Sequence, residues 1–320
     1  MLGVSQISFS TPEWLINFYH VTTIFSLLIN SLGIYLILFQ SGKIDSFKYF
    51  LLWFTMCCLL VDVFLFFLAQ PVPLLPIWGG YIHGPFWNVF RISCHHASVV
   101  CGFLVGQQFA ALTMCFVRKY QAISRIDTST ELSDSAVLHT SLFTQLLVSV
   151  WIVLYYCTGI DRPTAIGIIK SHYPSLLDKF LELEDFQIYI PDRVTVLFLF
   201  MAAFTATAFV AIIVFSTVQM LKLLQNLERH VSSSHLKKHK SAVTSLVAQF
   251  FTSSVAVIPP ISCGVLLFFE STHMQEMCWV MLSVSSCHGT LNCLVMILTY
   301  SPYRKYVKTK FCLSAERSQF

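Results

Sequence analysis

Apolar side chains gather along this chain into seven long blocks, at 18–39, 49–69, 92–117, 138–158, 194–219, 242–268 and 277–300, separated by shorter polar stretches. Of the 20 Lys and Arg and 16 Asp and Glu, only Asp62 falls inside a block. A charge at a bilayer centre costs at least about 2.5–3.5 kcal/mol, so exclusion on this scale marks segments whose solvent is lipid. Each block has 21 to 27 residues, enough to cross a hydrocarbon core of about 30 Å at about 1.5 Å per helical residue. The blocks are continuous runs, such as LLINSLGIYLILF at 27–39 and VTVLFLFMAAFTATAFVAIIVF at 194–215. Barrel strands would alternate apolar with polar residues instead. The pattern predicts an all-α membrane protein, a seven-transmembrane helix bundle at 18–300, with an N-terminal segment at 1–17 and a tail at 301–320.

Composition agrees: 56% of the 320 residues are hydrophobic and 11% charged, whereas a soluble chain carries about a quarter charged. A soluble enzyme, a disordered regulator and a collagen-like fibre are excluded. No internal repeat points to paired transporter halves, and the longest stretch outside the blocks, 159–193, is too short for a soluble domain. Segments 40–48, 118–137, 220–241 and 301–320 hold 15 of the 20 Lys and Arg. By the positive-inside rule that side is cytoplasmic and the N-terminus is outside. Residues 1–17 contain no Lys or Arg, so the basic region of a cleavable signal peptide is absent and the first helix is expected to act as the insertion signal.

Ten of the 11 cysteines fall in blocks, and seven of them (Cys57, Cys58, Cys101, Cys115, Cys263, Cys287, Cys293) sit away from the outer ends, where a thiol acts as a small hydrophobe. Cys94, Cys157 and Cys278 lie near the outer surface, where Cys94 could bridge to Cys157 or to Cys278. Cys312 is in the tail, a palmitoylation candidate. Zinc-type spacing and N-x-S/T sequons are absent, so no metal, cofactor or N-glycan is expected, and nothing points to nucleic acid.

Asp62 needs a polar partner within the membrane, and Asn30 in the first block and Asn292 in the seventh are the expected ones. Pro71 follows Asp62 by nine residues, the spacing by which rhodopsin-like receptors couple a polar pocket to activation. In the third block, Gly102 and Gly106 suit close packing of a neighbouring helix. Its outer end carries Arg91, Cys94, His95 and His96, and its interior Gln107 and Gln108. With His288 in the seventh block these are candidate ligand contacts. Pro259-Pro260 predicts a kink in the sixth block, a candidate hinge. At the cytoplasmic side, Arg118, Lys119 and Tyr120 (CFVRKYQAI), Lys237 and Lys238 (LKKHK) and Arg304 (SPYRKYVKTKF) make a positive surface. Tyr303, Tyr306 and Val307 set against Arg304, Lys305 and Lys308 suit a short amphipathic helix on the anionic inner leaflet.

Four segments resemble the nematode serpentine chemoreceptors of the Str/Srh/Sri group, most closely class I (Sri), with class H (Srh) a near neighbour. They are HVTTIFSLLINSLGIYLILFQSGKIDSFKYFLL (20–52), QPVPLLPIWGGYIHG (70–84), FVRKYQAI (116–123) and CHGTLNCLVMILTYSPYRKYV (287–307). The HG pair with a terminal PYR is the most specific. The resemblance implies a rhodopsin-like GPCR architecture, a small environmental or pheromone-like ligand, a heterotrimeric G protein partner at the basic face, and a place in the plasma membrane of chemosensory neuron cilia. Three features depart from ordinary rhodopsin-like receptors: Val117 replaces the acid before Arg118, Asn292 is followed by Cys293 rather than proline, and 159–193 has no cysteine to bridge to the third helix.

Two other classes fit less well. A transporter or channel would place several charges along a path, and only Asp62 is present. An intramembrane hydrolase would need metal ligands at one depth; of the candidates His20, Asp62, His95, His96 and His288, His20, His95 and His96 sit near the outer ends and Asp62 deeper.

Overall fold

The computed structural model describes residues 7–40, 47–126, 131–227, 233–254 and 273–317. Pro259 and Pro260 lie outside them, as do the side chains of Lys237 and Lys238. The chain opens with α1 (Glu13–Gln40) and α2 (Phe47–Val61), which runs on as a π-helical stretch over Asp62–Ala69. Next come β1 (Pro71–Pro73), β2 (Gly79–Ile82), the single turn α3 (Pro85–Asn88), α4 (Cys94–Ser124) and α5 (Asp134–Cys157). A connecting region holds α6 (Arg162–His172), α7 (Leu177–Glu182) and β3 (Gln187–Ile188). The chain ends with α8 (Arg193–Leu227), α9 (Ser233–Ser254), α10 (Met274–Ser286), α11 (His288–Thr299) and α12 (Ser301–Arg317).

Six of the described helical spans are long and apolar enough to cross a membrane: Glu13–Gln40, Phe47–Ala69, Cys94–Ser124, Asp134–Cys157, Arg193–Leu227 and Met274–Thr299. The helix of the sixth block, α9, is described as far as Ser254 and packs on α8 and α11. Polar residues set several helix starts. Ser93 Oγ accepts from His96 N, Ser133 Oγ from Ala136 N and Asp192 Oδ1 from Thr195 N, satisfying first-turn amides of α4, α5 and α8.

Helix α4 stands at the centre, against α2, α5 and α8. Gly102 and Gly106 bring α5 close, since a Cβ at Gly106 would stand 3.0 Å from Trp151 and Val148. At the basic end, Leu36, Phe54, Leu112, Phe116, Met220, Leu246 and Met296 share one core. Outward faces are as apolar as inward ones: the most apolar stretch of α8 is only 17% buried, and Phe200 and Phe215 are exposed. Apolar surface of this extent is stable against lipid and not against water.

The opposite end carries a cap with its own core. β1, β2 and β3 form an antiparallel sheet, with Val72 facing Tyr81 and Gly80 facing Gln187. Ile7, Val72, Leu74, Ile77, Tyr81, Ile169, Phe180, Phe186 and Ile188 pack beneath it. Residues 7–11 lie across this cap. Gln275 of α10 accepts from Ser8 N (2.9 Å), and its amide donates to the carbonyls of Ser8 (2.8 Å) and Pro73 (3.0 Å).

The π-helical stretch stops at Gln70, which takes a left-handed φ of 52°, and Pro71 lies beyond it, opening β1. One reading of the sequence changes here. Cys94, Cys157 and Cys278 are all free thiols, so neither bridge forms. Cys94 is buried and donates to the Gly80 carbonyl instead.

Candidate functional site

Midway through the bundle, Asp62 begins the π-helical stretch of α2 and is buried to 1% exposure. π-Helical insertions gather at functional positions because the wider turn re-aims side chains. Ser26 Oγ of α1 donates to Asp62 Oδ2 (2.5 Å). His288 Nδ1, at the start of α11, stands 3.3 Å from Asp62 Oδ1. That ring N–H also points at the Ser285 carbonyl, 2.8 Å away, so its contact with Asp62 is electrostatic rather than a directed hydrogen bond, and Oδ1 accepts none. On the other side of the ring, Nε2 meets Gln108 Oε1 of α4 at 3.1 Å. One imidazole therefore ties α2, α4 and α11 together.

The expected partners of Asp62 take a different place. Asn30 reaches it only through Ser26, donating to Ser26 Oγ (2.9 Å) one turn away. Asn292 is turned toward α9, where Ser253 Oγ donates to its Oδ1 (3.3 Å). A polar chain thus runs from α1 through α2 to α11 and α4, while Asn292 makes a separate contact between α11 and α9. Several of the atoms here lack partners: Asn30 Oδ1, Gln108 Nε2 and Asn292 Nδ2. Each is a buried group whose satisfaction requires a rearranged neighbour, a water or a bound molecule.

Gly289 is the enabling residue, since a Cβ there would stand 2.1 Å from Asp62 Oδ2. The HG pair acquires a physical meaning: the histidine supplies the contact and the glycine lets α11 approach close enough to make it. Ser26, Ser253 and Ser285 are not marked by charge or motif in the sequence; Ser26 gives one signal, lying one turn before Asn30 on the same helix face.

The other candidate ligand residues do not converge on one cavity. Gln107 faces α5 and donates to Gln145 Oε1 (2.8 Å). His96 is exposed and meets Ser93 Oγ (2.6 Å). His95 is buried under the cap. Its Nε2–H donates to the Tyr156 carbonyl (3.0 Å), leaving Nδ1 to accept from the Tyr189 hydroxyl (3.3 Å). Among the described residues, no group of three His, Cys, Asp or Glu could hold a metal ion.

The segment before β3 is held to α4 without a disulfide. Glu184 accepts from Trp87 Nε1 (2.9 Å) and Arg91 Nη1 (2.9 Å), Asp185 accepts from Cys94 N, and Arg162 donates to the carbonyls of Leu183 and Glu184. Donation from Trp87, then from Arg91, holds the exposed Glu184 carboxyl below its usual 4.5. Burial pushes Asp185 the other way. A depressed carboxylate stabilises the fold above its unfolded value and stops doing so as pH falls through its folded value. Amide-exchange protection over 183–188, corrected for intrinsic rates, is therefore expected to drop as pH falls below 4.5. Glu184→Gln should abolish that drop and leave the opposite trend of Asp185, whose protonation favours the buried state. A pH-independent Glu184→Gln difference would refute the clasp.

At the basic end, Arg118 donates to Gln121 Oε1 (2.9 Å) and lies 4.9 Å over the Phe50 ring. Gln121 and Arg125 both donate to Asp134 Oδ1, at 2.8 and 2.7 Å. Lys119 is buried over Phe47, and Tyr120 faces Phe215 of α8. Arg304 is exposed. Of the described residues expected on a partner-facing surface, Arg304 and part of Arg118 are presented, while Lys119 is buried and Tyr120 is half-buried against α8.

A multi-pass bundle with a buried polar centre, largely apolar outer faces and one basic end has the architecture of a rhodopsin-like seven-helix membrane protein. The sequence matches the serpentine type 7TM GPCR chemoreceptor family Sri over residues 5–307, and the chain belongs to that family. In fold it is similar to the crystal structure of squid rhodopsin, with a TM-score of 0.59 and 12% identity over 94% of this chain and 82% of that one. At that identity the likeness is one of fold. No curated protein matches the sequence.

Proposed function

We propose that this receptor sits in the plasma membrane of chemosensory cilia with its N-terminus outside, binds a small environmental or pheromone-like molecule, and acts on a heterotrimeric G protein at its basic end. The observation that carries the reading is the buried imidazole of His288, which joins α2, α4 and α11 through Asp62 and Gln108. A contact of this kind has few alternative partners in lipid, so helix displacement at the capped half must break or re-form it as a unit. A ligand shifts the equilibrium only by binding one of the two arrangements more tightly. Opening of the basic end would then release Lys119 and Tyr120 from their packed positions, beside Arg118, Lys237, Lys238 and Arg304.

The test is ligand-dependent nucleotide exchange on a G protein reconstituted with the purified receptor. A panel of volatile and water-soluble chemicals is expected to yield at least one that speeds exchange, with the effect lost in His288→Ala. Folded receptor that never promotes exchange across a broad panel argues against the reading. Orientation is checked separately: an epitope placed ahead of Thr11 should be reached by antibody on intact cells.

A further inference from the structure

A cavity of about 550 Å³ lies between α4, α5 and α8 in the basic half of the bundle. Its walls are Val117 and Tyr120 of α4, His139, Thr140 and Phe143 of α5, and Ile212, Phe215 and Ser216 of α8, with Ala211 also lining it. It opens sideways. The flanking side chains Leu138, Leu142 and Leu146 on α5 and Val214 and Val218 on α8 are exposed, so the opening is continuous with the lipid-facing belt. An occupant therefore arrives from the bilayer, dissolved in it.

The lining selects among bilayer components. Ligand sites of about 300–1,000 Å³ are mostly apolar with a few placed polar groups, and this one offers the Tyr120 hydroxyl, the His139 imidazole and Ser216 among aliphatic and aromatic walls. Among the described residues, no Lys or Arg lines it. A phospholipid phosphate or a fatty-acid carboxylate would lose hydration with no cation to replace it. A flexible acyl chain would also lose rotational freedom that a fused-ring body does not possess.

We propose that this cavity binds an uncharged, hydroxyl-bearing alicyclic lipid of the sterol class, its rings between Phe143, Ile212 and Phe215 and its hydroxyl at Tyr120 and His139. The site is separate from the Asp62–His288 centre and does not depend on G protein coupling. Because it wedges α8 against α4 and α5, occupancy favours whichever arrangement of α8 keeps the cavity open.

The experiment uses the full chain in phosphatidylcholine nanodiscs with a photoactivatable sterol that retains a free hydroxyl. Saturable labelling is expected within 117–143 and 211–216, displaced by unlabelled sterol and not by added phosphatidylcholine. Ala211→Trp, which fills the cavity, should cut labelling about tenfold. Tyr120→Phe with His139→Leu, which leaves the cavity's size nearly unchanged and is read even if the tryptophan variant does not fold, should cut it about fivefold. Labelling spread evenly around the helices, equal displacement by phosphatidylcholine, or a Tyr120→Phe/His139→Leu protein labelled like the parent would each overturn the assignment.

Discussion

His288→Ala is expected to destabilise the receptor by about 3 kcal/mol or more, the cost of emptying a buried side-chain site and stripping its polar neighbours of their contact. The ring touches Asp62 and Gln108, and all three residues are buried. Its loss takes away the polar neighbour of Asp62 Oδ1, leaves the Ser26 hydrogen bond to Oδ2 in place, and adds a cavity that lipid cannot fill. Asp62→Asn should cost less, about 1–2 kcal/mol, because the amide oxygen still accepts from Ser26. The two residues form one unit, so the double variant should fall short of the sum by about 1–3 kcal/mol. Unfolding of purified protein in one detergent, followed by tryptophan fluorescence, measures all four corners of the cycle. Additive effects, or a His288→Ala protein as stable as the parent, would show that the contact does not hold the helices.

Gly289→Ala is the second large effect, although it adds one methyl group. The new carbon would stand 2.1 Å from Asp62 Oδ2, and that oxygen is held by Ser26 at 2.5 Å. The carboxyl cannot retreat without breaking this bond and moving away from His288, so a cost of about 2–3 kcal/mol is expected from overpacking. Asp62→Ala in the same chain should relieve part of it by making room. Gly167 of α6 is the control: nothing lies within 4 Å of a Cβ there, and Ala should gain up to about 1 kcal/mol from helix propensity. Equal effects at the two glycines would mean that α11 does not approach α2 as closely as described.

How much of this was readable beforehand depends on the range of the force involved. The apolar blocks and the isolation of Asp62 within them are legible because the cost of placing charge in lipid is read one residue at a time. The close packing at Gly102 and Gly106 was legible for a similar reason, since small residues four apart share one helix face. The partner of Asp62 was not. Asn30 and Asn292 are plausible by depth, yet Ser26 and His288 make the contacts, 36 and 226 positions away in sequence. Helix rotation and the wider turn of the π-helical stretch decide that choice, and no local pattern encodes either. His95, His96, Gln107 and Gln108 look alike as one polar group on a single helix, yet they face the cap, the surface, α5 and the bundle centre respectively.

The capped end divides in the same way. Residues 70–84 and 159–193 read from sequence only as stretches between apolar blocks, because strands of two to four residues give too few alternations to recognise. Only folding joins them into a sheet with its own core, pins residues 7–11 through Gln275, and sets Glu184 and Asp185 where a disulfide might have stood. The order of residues alone settled the fold class of this receptor, since transfer into lipid acts on each side chain separately. Which polar groups meet inside, what closes one end, and where a cavity opens toward the bilayer were decided by tertiary packing, since each depends on pairs of helices whose relative rotation no single segment contains.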